Sequence, residues 1–294
     1  MRQACPFPKK AIFLMATFIL VAIAIIMIQS KSHPPKQPSS VLPIDQLYIF
    51  GDSLSDVGNV FRATGGNTPS EPYFEGRYSN GRVWVEELAA KLNLSKRQVK
   101  NFAWGGATTG ERGENQVPGV LAQVEAFVKS QPNVDPPALF VVWAGANDYL
   151  SRSTTPTAAI ENITEAIQVL SKVGAERFLI ANLPNLGRLP ATRNTNAAQK
   201  LTNMVLTYNQ KLQTTLDRLR TPDRTIAELD VFTIYNTAIH DPQQFGFRNV
   251  TNACLGSSAN CDRYLFWDGI HPTTAAHKVL GDFAFKQVEM AIQR

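Results

Sequence analysis

Two short segments at opposite ends of this chain carry residue types that could perform nucleophilic catalysis. The first is Phe50-Gly51-Asp52-Ser53-Leu54-Ser55-Asp56, which directly follows the apolar run Leu47-Tyr48-Ile49-Phe50. A buried strand that ends in a Gly-Asp-Ser turn sets one hydroxyl at the lip of a sheet, where open α/β folds hold their ligands. The second is Asp268-Gly269-Ile270-His271-Pro272. In a loop, a carboxylate three residues before an imidazole can bond one ring nitrogen, fix the tautomer and leave the other nitrogen facing outward. A serine hydroxyl is a weak nucleophile until a base takes its proton, so Ser53, His271 and Asp268 together could supply nucleophile, base and orienting group. Taken singly, the first segment also reads as a turn and the second as an Asp-His pair capping the last helix.

The remaining histidines offer less. His33 lies in a Pro/Ser-rich stretch, His240 precedes the turn Asp241-Pro242, and His277 is expected on a solvated face of the final helix. Acyl chemistry also needs donors for a developing oxyanion. Two loops could provide them: Asn101-Phe102-Ala103-Trp104-Gly105-Gly106-Ala107, whose glycines let backbone N–H groups approach a ligand, and Trp143-Ala144-Gly145-Ala146-Asn147-Asp148. Asn147 can donate a side-chain amide, and Asp148 reads as a brace of its loop. The first loop is not a phosphate cradle, because no Gly-Lys-Ser/Thr follows. Position 55 is serine, so the Gly-x-Ser-x-Gly elbow of the α/β-hydrolases is absent.

These residues need a scaffold, and the apolar pattern supplies one. Short buried runs at 47–50, 99–103, 138–144, 177–182 and 226–232 read as strands; amphipathic stretches at 83–92, 117–128, 158–173, 197–219 and 275–292 read as helices. Alternation of this kind predicts a five-stranded parallel sheet in a three-layer α/β/α sandwich of flavodoxin-like type. Two irregular stretches, 64–82 and 241–267, are long for a packed domain, and loops of that length are usually functional or disordered.

The chain has 294 residues, of which 44% are apolar and 18% charged, enough for a sizeable core. Its net charge of +5 is confined to the start: residues 1–40 hold five of the 29 lysines and arginines and no acid, which leaves 24 bases against 24 acids. That balance argues against a nucleic-acid partner. Residues 11–28 form an apolar run behind Lys9 and Lys10. The run is longer than the core of about 7–15 residues in a cleaved signal, so residues 1–30 read as a membrane anchor or a signal peptide, with a buried helix as the third alternative. Residues 31–45 read as a Pro/Ser-rich linker, and 46–294 as the folded domain, expected outside the cytoplasm. Cys254 and Cys261, the two cysteines of that domain, suit one local disulfide in an oxidising compartment or, alternatively, two buried thiols. No metal site or cofactor is expected, and the protein is expected to be a monomer. Asn93, Asn162 and Asn249 each begin a glycosylation sequon.

Four segments in this order resemble the GDSL or SGNH hydrolases. They are Gly51-Asp52-Ser53-Leu54-Ser55-Asp56-Val57-Gly58-Asn59, then Asn101 to Gly106, then Gly145-Ala146-Asn147-Asp148, then Asp268-Gly269-Ile270-His271-Pro272. Pro72-Tyr73-Phe74-Glu75-Gly76-Arg77-Tyr78-Ser79-Asn80-Gly81-Arg82-Val83-Trp84 further resembles the plant-type lipase/esterase branch. The resemblance implies that Ser53 attacks an ester carbonyl, that His271 acts as base and then acid, and that Asp268 orients it. It implies an oxyanion hole made by the N–H of Ser53, the N–H of Gly106 and the amide of Asn147; the expected substrates are lipid esters or acylated small-molecule or glycan esters. The alternatives are acyl transfer to an alcohol and a catalytically silent binding module. Tyr73, Phe74, Phe245 and Phe247 in the two long loops are candidates to line the substrate pocket.

Overall fold

The computed structural model describes residues 42–134, 137–151 and 154–293. The expected anchor or signal at 1–30 and the linker up to residue 41 lie outside the described residues. The folded unit starts at Leu42, earlier than the expected boundary at 46. Leu42 and Ile44 are buried, and the N–H of Asp45 donates to the carbonyl of Pro137. Two apolar side chains at the end of a polar stretch are drawn onto the nearest core.

Five parallel strands form the sheet: β1 (Gln46–Gly51), β2 (Val99–Asn101), β3 (Ala138–Trp143), β4 (Arg177–Ala181) and β5 (Thr225–Leu229), in spatial order β2-β1-β3-β4-β5. Every residue of β3 is buried, as a central parallel strand covered on both faces must be. Helices α1 (Asn59–Ala63), α2 (Trp84–Lys91), α3 (Val120–Ser130), α4 (Ala146–Leu150), α5 (Pro156–Lys172), α6 (Ala198–Leu219), α7 (Val231–His240) and α8 (Thr274–Ile292) complete the main architecture. α2 packs on α8, while α3, α5 and α6 pack in series; these two groups are the outer layers of a three-layer α/β/α fold.

The register sets the carboxyl ends of the central strands side by side, with Gly51 opposite Trp143 and Ile49 opposite Asn101. β1 and β3 meet at Gly51, where a Cβ would stand 2.3 Å from the carbonyl oxygen of Trp143, so only glycine fits. Gln123 on the buried side of α3 clamps the same residue. Its Oε1 accepts from the Gly51 N–H and its Nε2 donates to the Gly51 carbonyl, both at 2.9 Å. Phe127, one turn further along α3, packs against Tyr48, Phe50, Phe102 and Phe140.

The structure differs from the sequence-based expectation at three places. The expected fifth strand at 226–232 ends at Leu229, because the Asp230 carboxylate accepts from the Thr233 N–H and caps α7. Within 241–267, β6 (Asn249–Ala253) and β7 (Tyr264–Phe266) pair as a small parallel sheet, and a Cys254–Cys261 disulfide closes the loop between them. His277 is fully buried rather than solvated. Gly281, one turn after it, brings α8 so close to α2 that a Cβ there would meet the Glu87 Cβ at 2.6 Å. The Nδ1 of His277 accepts from the Trp84 N–H at 3.2 Å.

Burial, with a further contribution from the charge of His271, lowers the His277 pKa from 6.5 to about 3. Below pH 6.5 the unfolded chain takes up a proton here that the folded chain refuses until pH nears 3. Acid therefore favours the unfolded state at this residue. The stability advantage of wild type over His277→Gln should shrink by on the order of 1 kcal/mol per pH unit across that window. Urea titrations of both proteins at pH 7, 5.5 and 4 measure it.

Candidate active site

Ser53 lies one residue past the close β1–β3 contact, in a turn built by Asp52. The Asp52 carbonyl accepts from the N–H groups of Ser55 and Asp56, and its carboxylate accepts from the Leu54 N–H at 3.0 Å. This tight turn lifts the Ser53 side chain to the sheet edge. Asp52 itself is buried, and chiefly for that reason its pKa rises to about 7.

Ser53 Oγ is 2.8 Å from His271 Nε2, across 218 residues of sequence. His271 Nδ1 is 2.7 Å from Asp268 Oδ2. An ionised carboxylate only accepts hydrogen bonds, so Nδ1 carries the proton and Nε2 is left to accept from the Ser53 hydroxyl. Asp268 Oδ1 takes the backbone N–H groups of Ile270 at 2.7 Å and His271 at 2.6 Å, and Oδ2 also accepts from the Tyr73 hydroxyl at 2.8 Å. Burial alone would raise the Asp268 pKa; the hydrogen bond and charge of His271 together with the two N–H groups outweigh it and bring it down to about 2. The loop is pinned on both sides. Trp267 N–H donates to the His271 carbonyl, and Ser79 Oγ donates to the Pro272 carbonyl.

The second glycine loop is locked to the first segment by Asp56. Its buried carboxylate accepts from the N–H groups of Gly58, Asn59 and, across the site, Gly105 at 2.9 Å. Burial raises the Asp56 pKa against those hydrogen bonds. Asn59 Nδ2 donates to the Ala103 carbonyl and Asn101 Nδ2 to the Ser55 carbonyl. Gly106 follows with φ at +83°, a conformation that favours glycine, and its carbonyl accepts from the Glu114 N–H at 2.9 Å. Among the described residues, the N–H groups of Ser53 and Gly106 have no acceptor.

Asn147 stands in the first turn of α4, after β3. One amide hydrogen goes to the Ala107 carbonyl at 2.8 Å, which leaves the second for a ligand. Asp148 braces the loop as expected: its carboxylate accepts from the Thr109 N–H at 2.9 Å and the Thr109 hydroxyl at 2.7 Å.

Ser53, Gly106, Asn147 and His271 all line one cleft of about 700 Å³, walled by Tyr78, Trp104, Val117, Leu150 and Ile270. A much smaller hollow of about 20 Å³ also touches Ser53 and is bordered by Leu54, Leu186, Leu189 and Tyr235. A hollow of about 720 Å³ between α5 and α6 shares no residue with either. Among the described residues no group of three or more His, Cys, Asp or Glu could hold a metal ion, and no helix is long and apolar enough to cross a membrane.

None of the four expected pocket aromatics lines the cleft. Tyr73 turns its hydroxyl to Asp268. Phe74 is 38% exposed and lies under the Arg77 guanidinium, at a separate hollow with Glu86 and Val85. Phe245 and Phe247 stack on each other, and Phe245 also packs on Phe283 of α8. Phe245 and Phe247 thus cover core surface, and Tyr73 reaches the relay from behind instead of lining the cleft. The cleft wall at Tyr78 and at Glu114–Gln116 was missed, as were the clamps Asp56 and Gln123. Tyr78 and Asp56 lie inside the motifs already quoted, and Gln123 is a polar residue at buried helical spacing among Val120, Val124 and Phe127.

Comparisons with known proteins bear on the family and the fold. The chain is 27% identical to a phosphatidylcholine-sterol acyltransferase of Aeromonas hydrophila, over 83% of this chain and 90% of that protein. It is 28% identical to a thermolabile hemolysin of Vibrio parahaemolyticus, over 81% of this chain, and spans 62% of the hemolysin's length. In fold it is similar to the crystal structure of a lipolytic G-D-S-L family member from Veillonella parvula, with a TM-score of 0.52, 17% identity, and 82% and 96% of the two chains covered. The sequence profile of the GDSL-like lipase/acylhydrolases matches residues 47–284, nearly the whole folded unit. The chain therefore belongs to the GDSL-like lipase/acylhydrolase family, whose members include esterases, lipases and acyl-transferring enzymes.

Proposed function

We propose that the protein is a serine esterase that cleaves carboxylic esters through an acyl-enzyme on Ser53. The observation that carries this reading is the continuous relay from Ser53 Oγ to His271 Nε2 at 2.8 Å and from His271 Nδ1 to Asp268 Oδ2 at 2.7 Å. In the first half-reaction His271 Nε2 takes the hydroxyl proton while Ser53 Oγ bonds to the carbonyl carbon. The carbonyl oxygen becomes an oxyanion facing the N–H groups of Ser53 and Gly106 and the free amide hydrogen of Asn147. Collapse breaks the bond to the alcohol oxygen, which leaves with the proton from Nε2. Water then repeats the sequence, giving the carboxylic acid and free Ser53. Asp268 holds the Nδ1–H tautomer throughout and stabilises the imidazolium.

Donors already in place cost no reorganisation when charge develops, and losing one costs about 10²–10³ in kcat. Wild-type protein should hydrolyse a short-chain p-nitrophenyl ester, and Asn147→Ala should be slower by about that factor yet above background. An Asn147→Ala enzyme as fast as wild type removes this residue from the oxyanion hole.

Likeness to the Aeromonas acyltransferase over most of both chains supports a second reading, in which an alcohol replaces water in the second half-reaction. Product analysis with and without added alcohol separates the two. The Cys254–Cys261 disulfide supports a location in an oxidising compartment outside the cytoplasm.

A further inference from the structure

The loop at 64–82 does more than border the cleft: it delivers a phenol to the back of the relay. Tyr73 OH donates to Asp268 Oδ2 at 2.8 Å, the same oxygen that receives His271 Nδ1–H at 2.7 Å. The carboxylate therefore accepts four hydrogen bonds: two backbone N–H groups on Oδ1, and Tyr73 with His271 on Oδ2. The Tyr73 ring is itself fixed. It meets Trp267, the residue before Asp268, edge-on at 6.0 Å and 90°, and meets Tyr78 at 6.4 Å. Tyr78 in turn lies 5.2 Å from the His271 ring and against Gly105, where a Cβ would meet the Tyr78 ring at 2.3 Å. One loop thus touches the carboxylate, the imidazole and the glycine before Gly106.

We infer that Tyr73 is a positioning residue of the relay, a fourth member that anchors Asp268 Oδ2 and limits how strongly the carboxylate holds the His271 proton. The inference rests on the proposed Ser53 mechanism. Its physical basis is competition at one oxygen. A phenol O–H bonded to an anionic oxygen withdraws charge from it, and such charge-assisted bonds are about twice as strong as neutral ones. With the phenol in place, the carboxylate stabilises the imidazolium less than it would alone. Without it, Oδ2 carries more charge toward the ring and holds the imidazolium more tightly, and the carboxylate loses one of the two anchors that fix Oδ2. Burial, followed by the Asp268 hydrogen bond and charge, drives the Tyr73 pKa well above 10, so the hydroxyl keeps its proton and remains a donor.

The test is the pH dependence of ester hydrolysis by Tyr73→Phe, which keeps the ring contacts and deletes only the hydroxyl. Other titratable or charged groups that face or act on His271 are Asp268 on its own loop, Tyr78, Asp52 and, from α8, His277; the substitution leaves all of them in place. The acid limb of kcat/KM should move up by about half a unit to one unit, and plateau kcat should fall about 5–10-fold with KM within about two-fold. Incorporating 3-fluorotyrosine at position 73, a more acidic phenol and a stronger donor, should move the limb the opposite way without removing any contact. In an Asp268→Asn background, Tyr73→Phe should cost less than about two-fold further, since both act through one group. A limb that stays in place for both substitutions, a loss expressed in KM, or losses that multiply in the double variant overturns the inference. Ser53→Ala in the same assay separates the two levels: if it remains active, the proposed mechanism is wrong, whereas an inactive Ser53→Ala beside an unmoved Tyr73→Phe profile removes Tyr73 alone.

Discussion

Ser53→Ala should lower kcat for ester hydrolysis by about 10⁶, His271→Ala should do the same, and the double variant should be no slower than either single one. The expectation follows from the geometry. Oγ and Nε2 share one hydrogen bond of 2.8 Å, so each is useless without the other: a serine without a base stays a weak nucleophile, and a base without the serine has no proton to move. Residual rate would come from the oxyanion donors and substrate binding. The fold should survive Ser53→Ala, because the turn is made by Asp52 main-chain and side-chain bonds that do not involve the hydroxyl. Steady-state rates with melting curves for the three variants test this. Losses that multiply in the double variant would mean that the two residues do not act as one unit.

Asp268→Asn should lower kcat by about 10⁴ while leaving the loop intact. The two oxygens of Asp268 are not equivalent. Oδ1 receives the Ile270 and His271 N–H groups, and only an oxygen can sit there. The introduced amide must therefore place its NH₂ where Oδ2 was, pointing at His271 Nδ1. Two donors cannot face each other, so the ring shifts to the tautomer with the proton on Nε2. That nitrogen then presents a hydrogen to Ser53 and cannot accept one. The rate collapses although the heavy atoms keep their places. The NMR signal of the ring protons reports the tautomer directly. A loss below about ten-fold, with the Nδ1 proton retained, contradicts this assignment.

Much of the scaffold was legible because parallel strands covered on both faces read as unbroken apolar runs ending in turn residues. β1, β3 and β4 were found almost to the residue for that reason. α7 was lost because Val231-Phe232 extends the apolar run of β5, and only the cap at Asp230 marks the change. His277 was misjudged because its burial depends on Gly281 admitting α2, a contact between helices far apart in sequence. The site was legible at the ends of strands, where motif and topology coincide. The long loops were not. Tyr73 and Asp268 are 195 residues apart, and local pattern holds no trace of such a pairing, so Tyr73 read as one more pocket aromatic. Phe245 and Phe247 read the same way, and instead they stack together, with Phe245 against α8.

A fluorophosphonate ester tests the central claim most directly, because it reacts only with an activated nucleophile and leaves a phosphoryl oxygen where the oxyanion would form. Mass spectrometry and a crystal structure of the treated protein should find one adduct, on Ser53 Oγ. Its phosphoryl oxygen should lie about 2.7–3.1 Å from the Ser53 N–H, the Gly106 N–H and Asn147 Nδ2. A protein that stays unlabelled, or an adduct on another residue with that oxygen turned away from Gly106 and Asn147, contradicts the account.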